Sequence, residues 1–394
     1  MNLSSNSTIL LHDLIIKEEN KFFLVENSYT GEFYQMPKPA IEAIKKINRN
    51  ENLNDIEIYL EKKYPEEDID IIEFIKQLLD LGLVKAIDNE EIAFNSIGSS
   101  PTGFKWISPS FAKKIFNRWT ILLFIIILTI NVWLFISFPR TIPNFMDIFI
   151  FESMIANMLI YLLLSLILLI FHEFGHILAI RSFDLPASVN VGHRLFFVVA
   201  ETDLTAGWKL PSKKRNILFL GGMFIDQLIL FTVLLIKLTV SIDHHLMNGI
   251  LSVVVLDIFI RTIYQCCFYM KTDLYYLVEN ITGCYNLMEN GKNYMAKWIP
   301  FIKVDETSTT FEGEEKVVKL YGVFSFIGVI LTMSLFIIYF IPQTIYLMVN
   351  TLPHLMNPID NPYFWDALVI VAQFILMISL LIYSIRKKRK SAST

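Results

Sequence analysis

The residues best suited to chemistry in this chain are two histidines and a glutamate in one apolar stretch, His172-Glu173-Phe174-Gly175-His176. Helical residues four positions apart share a face, so the two imidazoles can bind one zinc ion. The glutamate beside the first histidine can then take a proton from a water molecule activated by the metal. The alternative is a polar trio satisfied by neighbouring helices. It is disfavoured because each charged residue inside a membrane helix costs at least about 2.5–3.5 kcal/mol.

The composition predicts a polytopic α-helical membrane protein. Apolar residues make up 54% of the chain and charged residues only 18%, whereas about a quarter of a soluble domain is charged. Six stretches reach the roughly 20 residues that a membrane helix needs. They lie near Thr120–Phe138, Asn157–Ile180, Ile217–Val240, Asn248–Met270, Leu320–Phe340 and Ala367–Ile385.

Lysine and arginine residues predict the orientation of these spans. They cluster before the first span, between the second and third spans, between the fourth and fifth spans, and after the sixth span. The opposite loops contain only Arg140, with Lys237 near a helix end. By the positive-inside rule, the basic loops and both termini are cytoplasmic.

The His-Glu-x-x-His helix resembles the active-site helix of the site-2 protease family of intramembrane zinc metallopeptidases. In that family the third zinc ligand is an aspartate at the cytoplasmic end of a later transmembrane helix. The segment Met270–Leu277, which contains Asp273, resembles that position, and it is also similar to a stretch in a bacterial subgroup of peptide zinc metalloproteases. The resemblance covers about Ile155 to Asn290 and implies one catalytic Zn²⁺ in a bacterial cell membrane.

This resemblance implies His172, His176 and Asp273 as metal ligands and Glu173 as the catalytic base. Two positions depart from the family pattern. Leu274 stands where the family has glycine, and Asp226 follows Gly221-Gly222 where the family shows Gly-Pro and then Asn. An orienting role behind a metal ligand suits Asp226.

The predicted topology is consistent with this ligand set. The second and fourth spans both run towards the cytoplasm, so His172, His176 and Asp273 reach the same side of the membrane at similar depth. Asp257 is the main rival ligand, but it lies near the middle of its span, and Arg261 four residues later is a ready ion-pair partner.

The loop between the second and third spans has two interpretations. Its β-prone run, Leu195–Val199, is typical of the re-entrant β-structure that site-2 proteases often have there. An ordinary cytoplasmic loop is equally compatible with the sequence.

The N-terminal region is predicted to be a separate soluble α+β domain. The first hundred residues contain 19 acidic and 10 basic residues, a balance that disfavours nucleic-acid binding. Strands are expected at Leu14–Lys17, Phe22–Glu26 and Glu32–Met36, followed by three helices and an extended segment at Leu83–Ile87. This order resembles the small winged-helix, PqqD-like domains that recognise peptide precursors. Such domains bind a leader peptide as an added strand, and Glu32–Met36 is the expected docking strand.

The predicted organisation is a peptide-recognition domain over 1–88, a linker and interfacial segment over 89–118, a membrane metalloprotease domain over 119–385, and a basic tail over 386–394. The three cysteines imply no disulfide framework.

The predicted function is an intramembrane zinc metalloendopeptidase that cleaves a ribosomally made peptide precursor, modified or not, during maturation or export. The expected partners are this precursor or a membrane peptide, the lipid bilayer, and a peptide-modifying enzyme or exporter. Two alternatives remain open: a site-2-type protease of a membrane-anchored regulator, and a non-enzymatic immunity or export factor with a structural zinc site.

Overall fold

The computed structural model describes residues 3–5, 7–19, 22–92, 103–194, 197–241, 244–284, 287–297 and 314–391. The chain divides into two compact units, Met1–Thr102 and Gly103–Thr394. The first unit thus extends past the predicted boundary at 88. Residues 93–102 of the predicted linker and interfacial segment lie outside the described residues.

The first unit combines two small antiparallel sheets with three helices. Its elements are β1 (Ile9–Leu11), β2 (Leu14–Glu18), β3 (Phe23–Asn27), β4 (Phe33–Met36), α1 (Lys38–Ile47), α2 (Leu53–Lys63), α3 (Ile71–Asp80), β5 (Val84–Ile87) and β6 (Glu90–Glu91). The strand orders are β1-β5-β6 and β2-β3-β4. The predicted strands and helices are present, but β1 and β6 were not predicted. Strand β4, the expected docking strand, is an edge strand.

The helices of this unit form because their apolar residues repeat at helical spacing, and side chains cap the N-termini of α2 and α3. Ile41, Ile44 and Ile47 place one face of α1 in the core. The Asp70 side chain accepts a hydrogen bond from the backbone N–H of Glu73 and so caps α3. Gly82 follows α3 with a φ of +64°, a conformation that glycine adopts at low cost after a helix.

The second unit is almost entirely helical. Its elements are α4 (Pro109–Ile115), α5 (Thr120–Ser137), α6 (Met154–Arg181), β7 (Ser188–Arg194), β8 (Phe197–Asp203), α7 (Ser212–Phe219), α8 (Gly221–Thr239), α9 (His245–Gln265), α10 (Asp273–Thr282), α11 (Leu287–Ala296), α12 (Glu315–Leu335), α13 (Ile341–Thr351) and α14 (Pro362–Ser391). Strands β7 and β8 form an antiparallel hairpin. The predicted β-prone run is therefore extended from Phe197 onward, while residues 195 and 196 lie outside the described part of the chain.

Six helices of the described chain are long and apolar enough to cross a membrane, which suggests a multi-pass membrane protein. Large apolar side chains such as Leu159, Leu162 and Leu166 on α6 are more than half exposed. Apolar surface of this kind needs lipid or another apolar partner to cover it.

Several predicted span boundaries were wrong. The third span begins at Gly221 instead of Ile217, because the chain leaves α7 at Leu220 before it starts α8. The fourth ends at Gln265, five residues before the predicted Met270. The fifth belongs to a continuous 42-residue helical stretch, Glu315–Met356, in which a π-helical turn at Phe336–Phe340 separates α12 from α13 and a 3-10 turn at Leu352–Met356 follows α13. The predicted tail from 386 continues α14 as far as Ser391.

Helix α8 lies at the centre of the bundle and packs against α5, α6 and α9. Its contact with α6 is unusually close, because two glycines face each other there. A Cβ atom added at Gly221 would lie 2.7 Å from the carbonyl oxygen of Gly175, too close for any larger residue to fit without a shift. The two glycines thus set the separation of the two helices.

Candidate metal centre

Three side chains that can bind a metal converge where α6 meets the start of α10. The Nε2 atom of His172 lies 3.0 Å from Oδ2 of Asp273 and 3.3 Å from Nε2 of His176, and the remaining His176–Asp273 distance is 3.4 Å. Among the described residues, these three make the one group of His, Cys, Asp or Glu side chains placed to hold a metal ion. The structure therefore brings together the three predicted ligands.

The spacing of these three atoms suits a tetrahedral ion. Zinc bonds of about 2.0–2.1 Å place two tetrahedral ligands about 3.3–3.4 Å apart. All three distances in the cluster fall within a few tenths of an ångström of that value. Two imidazoles and one carboxylate are also a donor set that zinc accepts, with a fourth position left for water or substrate.

Hydrogen bonds on the far side of each ring determine which nitrogen faces the cluster. His176 Nδ1 lies 2.8 Å from the carbonyl oxygen of Leu218, which can only accept, so this nitrogen carries the proton. His172 Nδ1 lies 2.7 Å from Oδ2 of Asp226 in the same arrangement. In neutral imidazoles both Nε2 atoms then present lone pairs towards Asp273. A proton shared between two of these three acceptor atoms leaves the third without a partner, whereas one metal ion can bind all three.

The break between α7 and α8 supplies the partner of His176. Leu218 lies in the last turn of α7, where carbonyl groups lack the regular helical donor four residues on. Its carbonyl oxygen is therefore available to the imidazole. The helix break at Leu220 thus explains two observations. It is the reason that the predicted continuous span from Ile217 was wrong, and it frees the carbonyl that orients His176.

Asp273 is held at the start of α10 by its neighbours. Thr272 caps this helix by accepting a hydrogen bond from the backbone N–H of Tyr275. The side chain of Gln265 donates to Oδ2 of Asp273 at 2.9 Å and accepts from its backbone N–H at 3.1 Å. Leu274 lies within the helix and has no positive φ, so this turn does not need the glycine of the family pattern.

Gly222 makes room for the first histidine. A Cβ atom at this position would lie 2.6 Å from both Cδ2 and Cε1 of the His172 ring. The two consecutive glycines have separate roles, since Gly221 allows the helices to approach and Gly222 admits the imidazole between them.

The carboxylate of Glu173 contacts the β-hairpin. Its Oε2 atom accepts hydrogen bonds from the backbone N–H and the hydroxyl of Thr202 on β8, at 2.8 and 2.7 Å. Helix α6 thus presents His172 to the cluster while the adjacent Glu173 meets the end of the hairpin. A hairpin strand and the predicted base are in direct contact.

Asp226 and Asp257, the other two buried aspartates near the centre, have different partners. Asp226 contacts His172, as expected of a residue that orients a ligand. Asp257 pairs with Arg261 on the same helix at 2.7 Å, four residues on, and it does not belong to the metal-binding group.

The sequence interpretation missed Thr202, Gln265 and the space that Gly222 leaves for the His172 ring. No motif or period marks any of them, and each acts through a contact formed only when separate elements pack together. Comparison of this chain with protein-family models, with curated proteins and with solved structures finds no match.

Proposed function

We propose that this chain is an intramembrane zinc metalloendopeptidase of the cell membrane, of the site-2 protease type, which cleaves a peptide precursor. The observation that carries the proposal is the convergence of His172 Nε2, His176 Nε2 and Asp273 Oδ2 within 3.4 Å of one another. A structural zinc site closes its fourth position with a protein ligand, whereas a catalytic site leaves it open. The described residues offer three ligands.

Each residue of the centre has a distinct task in peptide hydrolysis. His172, His176 and Asp273 would hold the zinc ion, and Asp226 and Leu218 keep the two rings in the required tautomer. Bound zinc supplies Lewis acidity, which polarises a peptide carbonyl and lowers the pKa of water. Glu173 takes a proton from the attacking water and passes it to the leaving amine nitrogen.

The β-hairpin offers a way to present substrate beside the base. An extended peptide can add to a strand edge through backbone hydrogen bonds. Thr202 on β8 contacts Glu173 directly, so a peptide bound along this hairpin would run close to the catalytic carboxylate. This supports an extended peptide as the substrate class.

The N-terminal unit supports the choice of a peptide precursor. It has its own buried core, and its sheet β2-β3-β4 ends in the edge strand β4. We assign this unit to recognition of the precursor by strand addition, in the manner of PqqD-like domains. Orientation with both termini in the cytoplasm would place this unit on the side where ribosomal peptides are made.

Removal and return of the metal test this proposal. The detergent-purified protein is stripped with a zinc chelator and incubated with a library of unstructured peptides, and products are identified by mass spectrometry. Cleavage should disappear on stripping and return with one equivalent of zinc, but not with magnesium, which prefers oxygen ligands. Cleavage by the metal-free protein at the original rate would refute the proposal.

A further inference from the structure

A chain of buried charged side chains continues from the metal centre into the helix bundle. Asp226 contacts Nδ1 of His172. Behind Asp226, on α9, Nη1 of Arg261 lies 4.0 Å from Oδ1 of Asp226, while Nη2 of the same guanidinium donates to Asp257 at 2.7 Å. Arg261 therefore stands between two carboxylates that come from different helices.

One oxygen of Asp226 and one nitrogen of Arg261 face each other and carry opposite charges. Within the described residues, Oδ1 of Asp226 and Nη1 of Arg261 are both buried without a hydrogen-bond partner. Both side chains are poorly exposed, 4% for Asp226 and 16% for Arg261. Buried polar atoms of this kind are costly unless an opposite charge stabilises them. The 4.0 Å separation of these two atoms places the two opposite charges next to each other.

Apart from Glu173, whose carboxylate is held by Thr202 on the hairpin side, the formal charges of the region balance only with Arg261 included. With a divalent ion bound, the two charges of the metal are offset by Asp273 and Asp226. Arg261 and Asp257 then offset each other. Without Arg261 the group carries an uncompensated negative charge within a span, where an unpaired charge is expensive.

We propose that Arg261 is a positioning residue for the metal centre. Asp257 anchors its guanidinium, which acts as the counter-charge that keeps the Asp226 carboxylate against His172 and so aims His172 Nε2 at the metal. This inference rests on the proposed metal site. The Asp257–Arg261 pair would thus help to position a metal ligand in addition to stabilising its own helix.

The test is a double-mutant cycle read as metal affinity, which requires no substrate. Zinc affinity of the full-length protein is measured by competition with a chromophoric chelator for wild type, Arg261→Met, Asp226→Asn and the double variant. Loss of an orienting partner typically weakens metal binding about 10–100-fold, and we expect about tenfold for Arg261→Met. Because Arg261 acts through Asp226, Arg261→Met should add no further loss in the Asp226→Asn background.

Control variants separate this role from general damage to the membrane bundle. Lys237→Met removes another cation from a span, one that donates to Ser252 at 2.6 Å, and it should leave zinc affinity unchanged. Arg261→Lys retains the charge and should recover most of the affinity. If Arg261→Met does not fold, the double variant Asp257→Asn, Arg261→Met leaves no unpaired charge at position 257 and should show the same loss of zinc.

Two results would overturn the inference while the proposed function stands. One is wild-type zinc affinity in a folded Arg261→Met variant. The other is full additivity of the Arg261→Met and Asp226→Asn effects, which would mean that Arg261 acts independently of Asp226. A wild-type protein that binds no zinc would instead refute the proposed function, and this inference with it.

Discussion

Substitution of Gly222 by alanine should remove metal binding while the bundle remains folded. The added Cβ atom would lie 2.6 Å from Cδ2 and Cε1 of the His172 ring. Carbon atoms pack at about 3.5–4.0 Å, so the ring must move by about 1 Å. Metal–ligand distances tolerate only about 0.2 Å. The required displacement is several times larger than that tolerance, so His172 can no longer share an ion with the other ligands.

The expected loss of zinc affinity is at least the roughly 10–100-fold effect of losing an orienting partner, because here a ligand itself is displaced. Affinity is measured in detergent by chelator competition, with thermal unfolding of the same samples recorded alongside.

Gly249→Ala is the matched control for this substitution. Its Cβ atom would meet Cγ2 of Ile150 at 2.8 Å, in a different part of the same bundle. Overpacking of this kind costs about 1–3 kcal/mol, so the control should unfold at a lower temperature and still bind zinc normally. Wild-type zinc affinity in Gly222→Ala would refute the assignment of His172 as a ligand in this geometry.

Three further predictions concern the ligand choice, the base and the N-terminal unit. Asp273→Ala should lower zinc content sharply. Asp257→Ala should retain zinc, with an affinity at most about tenfold weaker because Arg261 loses its anchor, and should lose stability by about 3–5 kcal/mol, since a largely buried arginine loses its partner; metal analysis with the opposite pattern would reverse the ligand assignment. Thr202→Val should reduce kcat about tenfold, because a hydrogen bond to a charged group contributes about 1.5–3 kcal/mol. Zinc content should not change in that variant, and Thr202→Ser should restore the rate; an unchanged kcat in Thr202→Val would exclude the positioning of the base by the hairpin. Deletion of 1–88 should leave zinc bound but slow cleavage of dilute precursor, with partial recovery at high precursor concentration, because a tethered recognition domain raises the local concentration to roughly millimolar; equal rates at low concentration would exclude the recognition role.

The sequence predicts the helices of this protein better than the contacts between them. Hydropathy identifies the six long apolar helices found in the described part of the chain, because a membrane helix needs a continuous apolar run. It misplaces their ends where the chain changes direction for local reasons, as at Leu220. The apolar pattern continues across that residue, whereas the helix does not.

The convergence of the three side chains of the candidate metal centre could be predicted because their types and the predicted topology of their helices both constrain them. His172 and His176 share a helix face, and the shared direction predicted for the second and fourth spans brings Asp273 to the same end. The hydrogen bonds around these ligands could not be predicted in the same way. Gln265 and Thr202 reach the site through the turn before α10 and through the β-hairpin, and nothing periodic marks either of them.

The role of Arg261 shows the same limit. Its pairing with Asp257 follows from a spacing of four residues on one helix, and the structure contains that pair. Its approach to Asp226 depends on how α8 packs against α9, which the sequence pattern does not specify.

The most direct test of the central claim is a paired measurement of zinc content and peptide cleavage in Glu173→Gln. Glutamine keeps the size of the side chain and removes the proton acceptor, while the three ligands are untouched. We expect zinc content equal to that of the wild type and a cleavage rate lower by about 10²–10⁴-fold, the usual contribution of a general base. Cleavage at the wild-type rate by the zinc-loaded variant would contradict the assignment of this protein as a zinc peptidase with Glu173 as its base.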